Sequence, residues 1–516
     1  MNTRPTPAYL ALGLLLILLI ALPLGGVLTT LLQDTEAIPL SRSSSELLST
    51  SLILALSVTL LTTVLGTLSG MGLLFLPHGL RYVILYLAMT AFLVPAYIYA
   101  SAWIELTTYL PGINSRHLFT LPGTIAILTL THYPIITCAA YIACTRIEEE
   151  KLEIARMEGS LLSILRHVMF PHALPFIATG SLIVYLLSLT HYTLPALFQV
   201  TTYPIEIFTL YNAFHSPANG IRLVLPIIAL ALAAIILWWF LIGHHLSHSS
   251  FHAPKKVQLP TSRLAHRIIL VSIGALLLLS VGLPLGTLFL KTVSLEHLRE
   301  VWANSQDEWI TSLSLALGTT LIILCISSLG TFLCDTLPRT ISLSLILFLC
   351  LPYLISGPAW GIGLIKFWNH VGLRGDIYDH PLIAYLACTG KYLFIGWLGF
   401  TFALRSVRPE YTDAARVFGV PRWQQFITII LPLTAPYAMV VGAILFLLVL
   451  GEVDSLLLVS PPGFTTIPVR IYGLMHYGPS PLVSAMALLM VLVIGGITTA
   501  LCIPAAWLLH KRKSAA

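Results

Sequence analysis

Charge is what this chain lacks most. Only 9% of its 516 residues are Asp, Glu, Lys or Arg, where a soluble domain carries about 25%. Apolar residues make up 57%, and the mean hydropathy is +0.90. No soluble core could hide that much apolar surface, so the solvent must be lipid. The net charge of +6 is then a matter of membrane topology and not a nucleic-acid signal. Catalytic signatures are missing as well. Neither HExxH nor GxSxG occurs, which leaves an intramembrane enzyme without a converging metal or nucleophile set. GxxxxGK followed by Ser or Thr is also absent, so the chain does not hydrolyse ATP by the P-loop route. The seven cysteines fall mostly inside apolar runs and form no CxxC. They indicate neither a disulfide framework nor a zinc site, and small packing residues is their plainest reading.

Long apolar runs are abundant, and about 20 such residues suffice to cross the hydrocarbon. Twelve can be counted, centred on 9–32, 50–76, 82–104, 123–144, 174–195 and 222–243 in the first half. In the second half they centre on 268–290, 310–334, 341–365, 382–404, 434–456 and 484–509. The runs at 82–104 and 341–365 contain Pro95 and Pro352, which predicts kinks or unwound turns there. The first run exceeds a signal-peptide core and no clear small-x-small site follows it, so it reads as a retained spanning helix. Lysine and arginine orient the set. With the amino terminus in the cytoplasm, most of the 27 basic residues fall on that side, including Lys255, Lys256, Arg263, Arg267 and the Lys511-Arg512-Lys513 tail. Both termini are then expected to be cytoplasmic. The fold class that follows is an all-α polytopic membrane protein of about twelve transmembrane helices.

The halves repeat one another. Thr50-Ser51-Leu52 matches Thr311-Ser312-Leu313, and Pro204-Ile205-Glu206-Ile207-Phe208 matches Pro468-Val469-Arg470-Ile471-Tyr472. An even number of spans in each half makes the copies parallel, related by an axis along the membrane normal, with a pathway between them. Residues 1–243 and 268–516 are the expected domains, joined by a polar cytoplasmic linker at 244–267. Its His244, His245, His248 and His252 are a candidate metal cluster, although a solvated connector explains them more simply.

The repeat is most telling in two charged islands. Glu153-Ile154-Ala155-Arg156-Met157-Glu158-Gly159, in the loop 146–172, is echoed by Asp413-Ala414-Ala415-Arg416-Val417-Phe418-Gly419, in the loop 405–433. In the second, Pro409 suits the first turn of a helix, and Glu410 and Asp413 match its dipole. Tyr411, Ala415 and Phe418 recur as one apolar stripe. Gly419 supplies a left-handed helix end, and Pro421 starts another helix that Leu431-Pro432 is expected to stop. The product is a helix–glycine–helix elbow. The first loop offers Leu152 and Ala155 as its face and Gly159 as its turn. One such elbow could simply pack on its own protein's helix ends; two at equivalent places favour a partner with two equivalent sites.

Asp413-Ala414-Ala415, Gly419, Ile429 and Leu431-Pro432 resemble, at every spacing, the Glu-Ala-Ala loop of the permeases of binding-protein-dependent ABC importers, with Asp for Glu. The first copy departs from that pattern: Ile154 replaces an alanine, Phe170 precedes the proline, and Gly159 to Pro171 is one residue short. The whole chain resembles two fused six-helix permease domains of the MetI-like kind. The resemblance implies that Glu153, Ala155, Gly159, Asp413, Ala414, Ala415 and Gly419 dock two copies of a separate ABC ATPase. ATP and Mg would sit on that partner, and this chain would bind no cofactor. A periplasmic or surface-tethered substrate-binding protein and a bacterial inner-membrane location are also implied, with no nucleic-acid partner. A gradient-driven secondary transporter is the competing class, but it has no need of matched docking loops.

Gly363-Leu364-Ile365, Trp368-Asn369, Pro461-Pro462-Gly463-Phe464 and Leu194-Pro195-Ala196-Leu197 are similar to ferric-iron importer permeases. Importers of thiamine, polyamines or phosphonates are the alternatives. An ionisable group in a span costs about 2.5–3.5 kcal/mol if it faces lipid, which singles out Glu452 and Asp454 at the far end of the eleventh run. His191 and Tyr192 hold the equivalent place in the first half. Carboxylate and phenolate oxygens suit a hard cation such as Fe(III). These four are therefore expected along the outward mouth, with interfacial hydrogen bonds or an internal pair as the plainer alternative. Lys391 is expected to snorkel or to pair with a neighbour. Glu105 and His132 have no partner the sequence names, and Gly66 to Gly70 reads as tight helix packing.

Overall fold

A computed structural model of the chain describes residues 7–32, 40, 42–109, 115–147, 161–243, 263–292, 295–335, 337–370, 377–477 and 480–515. Among these residues there is no strand. An apolar solvent leaves each backbone N–H and C=O to find its partner within the chain, and the helix does this locally. Among the described residues ten helices are long and apolar enough to cross a membrane, or twelve if each of two bent pairs is one span. Every expected run falls on one of them. Polar residues mark the starts: the Ser43 hydroxyl accepts from Glu46 N–H at 3.3 Å, and Thr120 Oγ1 accepts from Gly123 N–H at 3.2 Å, satisfying donors that the first turn leaves open.

The bent pairs are His78–Leu93 with Ala96–Thr107, at 96°, and Thr340–Leu354 with Gly357–Asn369, at 99°. The first breaks at Val94-Pro95, where proline predicts it. In the second, Pro352 stays inside the helix and the chain turns extended at Ile355. The expected break at Pro352 is therefore corrected to Ile355-Ser356, the pair equivalent to Val94-Pro95. Pro358 stands in the first turn of the next helix, where its missing N–H costs nothing.

Among the described residues five spans carry a π-turn; one is Trp239–Gly243, and in the other four the turn is followed by a residue and then a proline. They are Ile17–Ala21 before Leu22-Pro23, Leu165–Met169 before Phe170-Pro171, Leu278–Gly282 before Leu283-Pro284, and Phe426–Ile430 before Leu431-Pro432. A proline ring crowds the carbonyl four residues back and brings no donor to it. A widened turn moves that carbonyl aside, and the residue before the proline donates five residues back instead, as Leu431 N–H does to Phe426 O. Leu431-Pro432 therefore does not stop the helix: Arg422–Leu450 runs as one span.

By packing, the chain divides into two compact units. Unit one holds Met1–Ala37, Ile207–Arg222 and Ser294–Ala516, and unit two holds Ile38–Glu206 and Leu223–Val293. Within unit one the first span lies among second-half helices, the Tyr9 hydroxyl donating to Leu333 O at 2.9 Å. Within unit two the seventh span lies among first-half helices. There Lys291 Nζ stands 2.8 Å from Glu105 Oε2, and Ser280 Oγ 3.2 Å from the Tyr133 hydroxyl. The division at 244–267 follows the repeat, whereas packing groups the leading span of each half with the other half.

In unit two the helix Ser44–Gly72 packs closely on Leu121–Cys144. A Cβ at Gly66 would lie 2.7 Å from Ile136 Cβ, and one at Gly70 2.5 Å from Thr137 O. The fully buried Arg81 closes the end of the same span, donating from Nε to Leu76 O at 2.7 Å and from Nη2 to Leu74 O at 2.9 Å. Gly70→Leu forces these helices apart, at a cost of about 1–3 kcal/mol. A melting curve in detergent is expected to shift down for Gly70→Leu and to hold for Gly79→Ala, where a Cβ meets nothing within 4 Å.

Candidate functional site

The second elbow begins with the helix Pro409–Val417. Gly419 takes a φ of +72°, a left-handed position that glycine adopts without penalty. Its N–H donates to Arg416 O at 3.0 Å, and Val420 N–H donates to Ala415 O at 3.0 Å, the paired bonds of a Schellman helix end. The restart at Arg422 is held from the side: buried Gln425 donates from Nε2 to Val420 O at 2.6 Å. Phe426 is buried against Phe332, ring centroids 4.7 Å apart, so the elbow is anchored to the eighth span, Gln306–Cys334.

The expected stripe of Tyr411, Ala415 and Phe418 is unevenly covered: Ala415 is buried, while Tyr411 is half exposed and Val417 and Phe418 are 85% and 84% exposed. Phe418 N–H donates to Ala414 O at 3.1 Å, so Phe418 keeps the helical spacing at the last position before the turn. What the elbow presents is a tip, Val417-Phe418, with Trp423 (59% exposed) nearby in sequence. Asp413 Oδ1 takes Arg416 Nη1 at 3.1 Å, both more than half exposed, a pair that contributes little to stability. Ala414 lies on the same helix and is exposed. Glu153, Ala155 and Gly159 lie outside the described residues, as do the linker histidines.

A second polar cluster lies at the broken span of unit one. Glu452 is 4% exposed; its Oε1 accepts from Lys391 Nζ at 2.7 Å and from Ser455 N–H at 2.8 Å. Its Oε2 accepts from the Tyr392 hydroxyl. Lys391 is therefore paired, its ammonium also 5.5 Å from the centre of the Tyr392 ring. Asp454 stands at the bend itself: a Cβ on Gly357 would come within 2.5 Å of Asp454 Cβ, so only glycine lets the two segments meet. Sequence reasoning found Glu452 and Lys391 separately but not their contact, because 61 residues separate them and no local periodicity reports it.

His191 and Tyr192 belong to unit two. Tyr192 is buried. The His191 ring lies 6.3 Å from His132, which lies 6.1 Å from Phe92, and His132 Nδ1 is 2.8 Å from Leu128 O.

Residues 335–508, which hold the elbow and the Lys391–Glu452 pair, match the family described as the binding-protein-dependent transport system inner membrane component. That stretch is similar to a MetI-like permease domain. The chain is similar to the Fe(3+)-transport system permease protein FbpB 2 of Haemophilus influenzae, 23% identical over 481 residues, which is 89% of this chain and 91% of the relative. It is also similar to the 2-aminoethylphosphonate transport system permease protein PhnV of Salmonella typhimurium, 26% identical over 133 residues, 25% of this chain. The chain spans about half the length, 48%, of those phosphonate relatives.

The elbow's geometry depends on Gly419. Gly419→Val places a β-branched residue at a left-handed position, a strain of about 1–3 kcal/mol. Limited trypsin digestion is expected to cut faster at Arg416 and Arg422 in that variant, with the remaining peptides released as in the wild type.

Proposed function

We propose that the chain is the membrane-spanning subunit of an ATP-driven importer, coupled through its elbows to a separate ATPase. The observation that carries this reading is the exposed Val417-Phe418 tip on an elbow locked by the Gly419 turn and by Gln425. An apolar tip held this rigidly loses little conformational freedom when a partner's cleft covers it. Asp413, Ala414, Ala415 and Gly419 form the second docking site in this reading, and Glu153, Ala155 and Gly159 the first. Two matched sites call for two ATPase copies, which carry ATP and Mg. Residues 1–243 and 268–516 each act as one permease domain. The excess of Lys and Arg places both elbows and both termini in the cytoplasm, opposite a substrate-binding protein.

Ferric iron is the cargo we infer, because the likeness to an iron permease runs over nearly the whole of both chains. A phosphonate is the second reading, favoured by the match to PhnV. Vesicles holding the chain with its ATPase and binding protein decide between them: uptake of Fe(III) and not of 2-aminoethylphosphonate or thiamine is the expected result. Nucleotide-independent uptake by the chain alone would overturn the importer reading.

Phe418→Asp puts a charge on the docking tip and touches no buried contact. It is expected to lower uptake and ATPase co-purification by about tenfold, equivalent to about 1.4 kcal/mol of binding, at an unchanged melting temperature. Co-purification at the wild-type level would remove the tip from the interface.

A further inference from the structure

The bend in unit one carries polar groups that the bend itself does not require. The repeat places Phe92, Leu130, Thr131 and His191 where unit one has Tyr353, Lys391, Tyr392 and Glu452. Unit two nevertheless bends its broken span by 96°, against 99° in unit one. The ion pair is therefore not what makes the bend. Burying both charges costs desolvation that their attraction only partly offsets, so a reason other than shape is needed for keeping them.

The surroundings are richer in oxygen than one ammonium can use. Glu452 supplies both its oxygens, and Tyr392 its hydroxyl. Asp454 stands at the same bend, where a Cβ on Gly357 would come within 2.5 Å of its own Cβ. Ser356, at the break, and Ser455, whose N–H holds Glu452, are each fully buried with a hydroxyl that has no hydrogen-bond partner. Lys391 has three donors but makes one hydrogen bond, to Glu452, besides its contact with the Tyr392 ring. Among the described residues no three His, Cys, Asp or Glu side chains converge as a metal site. The arrangement thus differs from a closed metal centre: two carboxylates and several hydroxyls stand at the ends of interrupted helices, a setting in which transporters coordinate cations.

We propose that unit one holds a cation site whose resident cation is the Lys391 ammonium, seated on Glu452 and Tyr392, and that a hard, oxygen-seeking cargo cation passes by displacing it. The lysine is a tethered competitor. It neutralises Glu452 when no cargo is present, and it limits the time a multivalent ion dwells there. That the displacing ion is cargo rests on the importer reading; that a cation site lies beneath Lys391 does not.

The test uses the purified full chain and Tb(III), whose emission is sensitised by nearby tyrosines. Lys391→Met is expected to bind Tb(III) at a concentration at least tenfold lower than the wild type, and adding Glu452→Gln is expected to abolish that gain. A folded Lys391→Met protein that emits no differently from the wild type overturns the proposal, as does emission that survives in the double variant. Should the single variant not fold, the double variant removes both members of the Lys391–Glu452 pair and keeps the question decidable. In the complete transporter it is expected to lose at least tenfold in Fe(III) uptake at an unchanged melting temperature, and wild-type uptake would overturn the proposal. If the unmodified transporter takes up no Fe(III), the iron reading fails, while the Tb(III) result still decides whether the site exists.

Discussion

Everything in this chain answers to one constraint: in lipid, a backbone polar group with no partner in the protein has no partner at all. Continuous helices meet it cheaply, as in ten spans among the described residues. Each interruption must meet it by other means. At the end of the second span the buried guanidinium of Arg81 takes the carbonyls of Leu74 and Leu76. After the eleventh span the Glu452 carboxylate takes the Ser455 N–H. The polar side chains buried at these places stand where the helix ladder stops, which is why so few charges suffice for so long a chain.

The same constraint explains what could be read without coordinates. Hydropathy reports whether a segment can cross a bilayer, so all twelve runs were legible. It does not report which helix a segment lies against, and the placement of the first span with Leu333 and of the seventh with Tyr133 was not. Local backbone signals read well where the chemistry is local: Pro95 marks a break, and Gly419 the left-handed turn. They misled where tertiary contact decides. Pro352 is absorbed within its helix, and the break comes three residues later at Ile355-Ser356, the pair equivalent to Val94-Pro95. The pairing of Lys391 with Glu452 joins two spans far apart in sequence, and nothing in either neighbourhood announces it.

The prolines show how the repeat stores backbone geometry. Pro23 and Pro284 are 261 residues apart, as are Pro171 and Pro432, and all four follow a π-turn. Around Pro23 and Pro284 the sequence Leu-Pro-Leu-Gly recurs, whereas Phe170 and His172 flank Pro171 where Leu431 and Leu433 flank Pro432, so the proline is what both pairs share. A missing N–H and a crowded carbonyl impose the same widened turn wherever the proline stands. In the second half that turn begins at Phe426, the residue that anchors the elbow to Phe332. The joint between elbow and span is therefore the place where the helix is least regular.

Shape and chemistry are thus encoded separately in the two halves. Backbone positions equivalent by the repeat take up the same bend, with Val94 and Ile355 at φ/ψ of −75°/127° and −82°/124°. The side chains facing that bend are unrelated: aromatic and imidazole rings in unit two, and an ammonium, a carboxylate and phenols in unit one. An interaction needed for folding would be expected in both copies, since both must satisfy the same interrupted helices. One found in a single copy answers to something only that copy does. On this argument the Lys391–Glu452 pair belongs to what unit one handles, and the bend belongs to the fold that both units share.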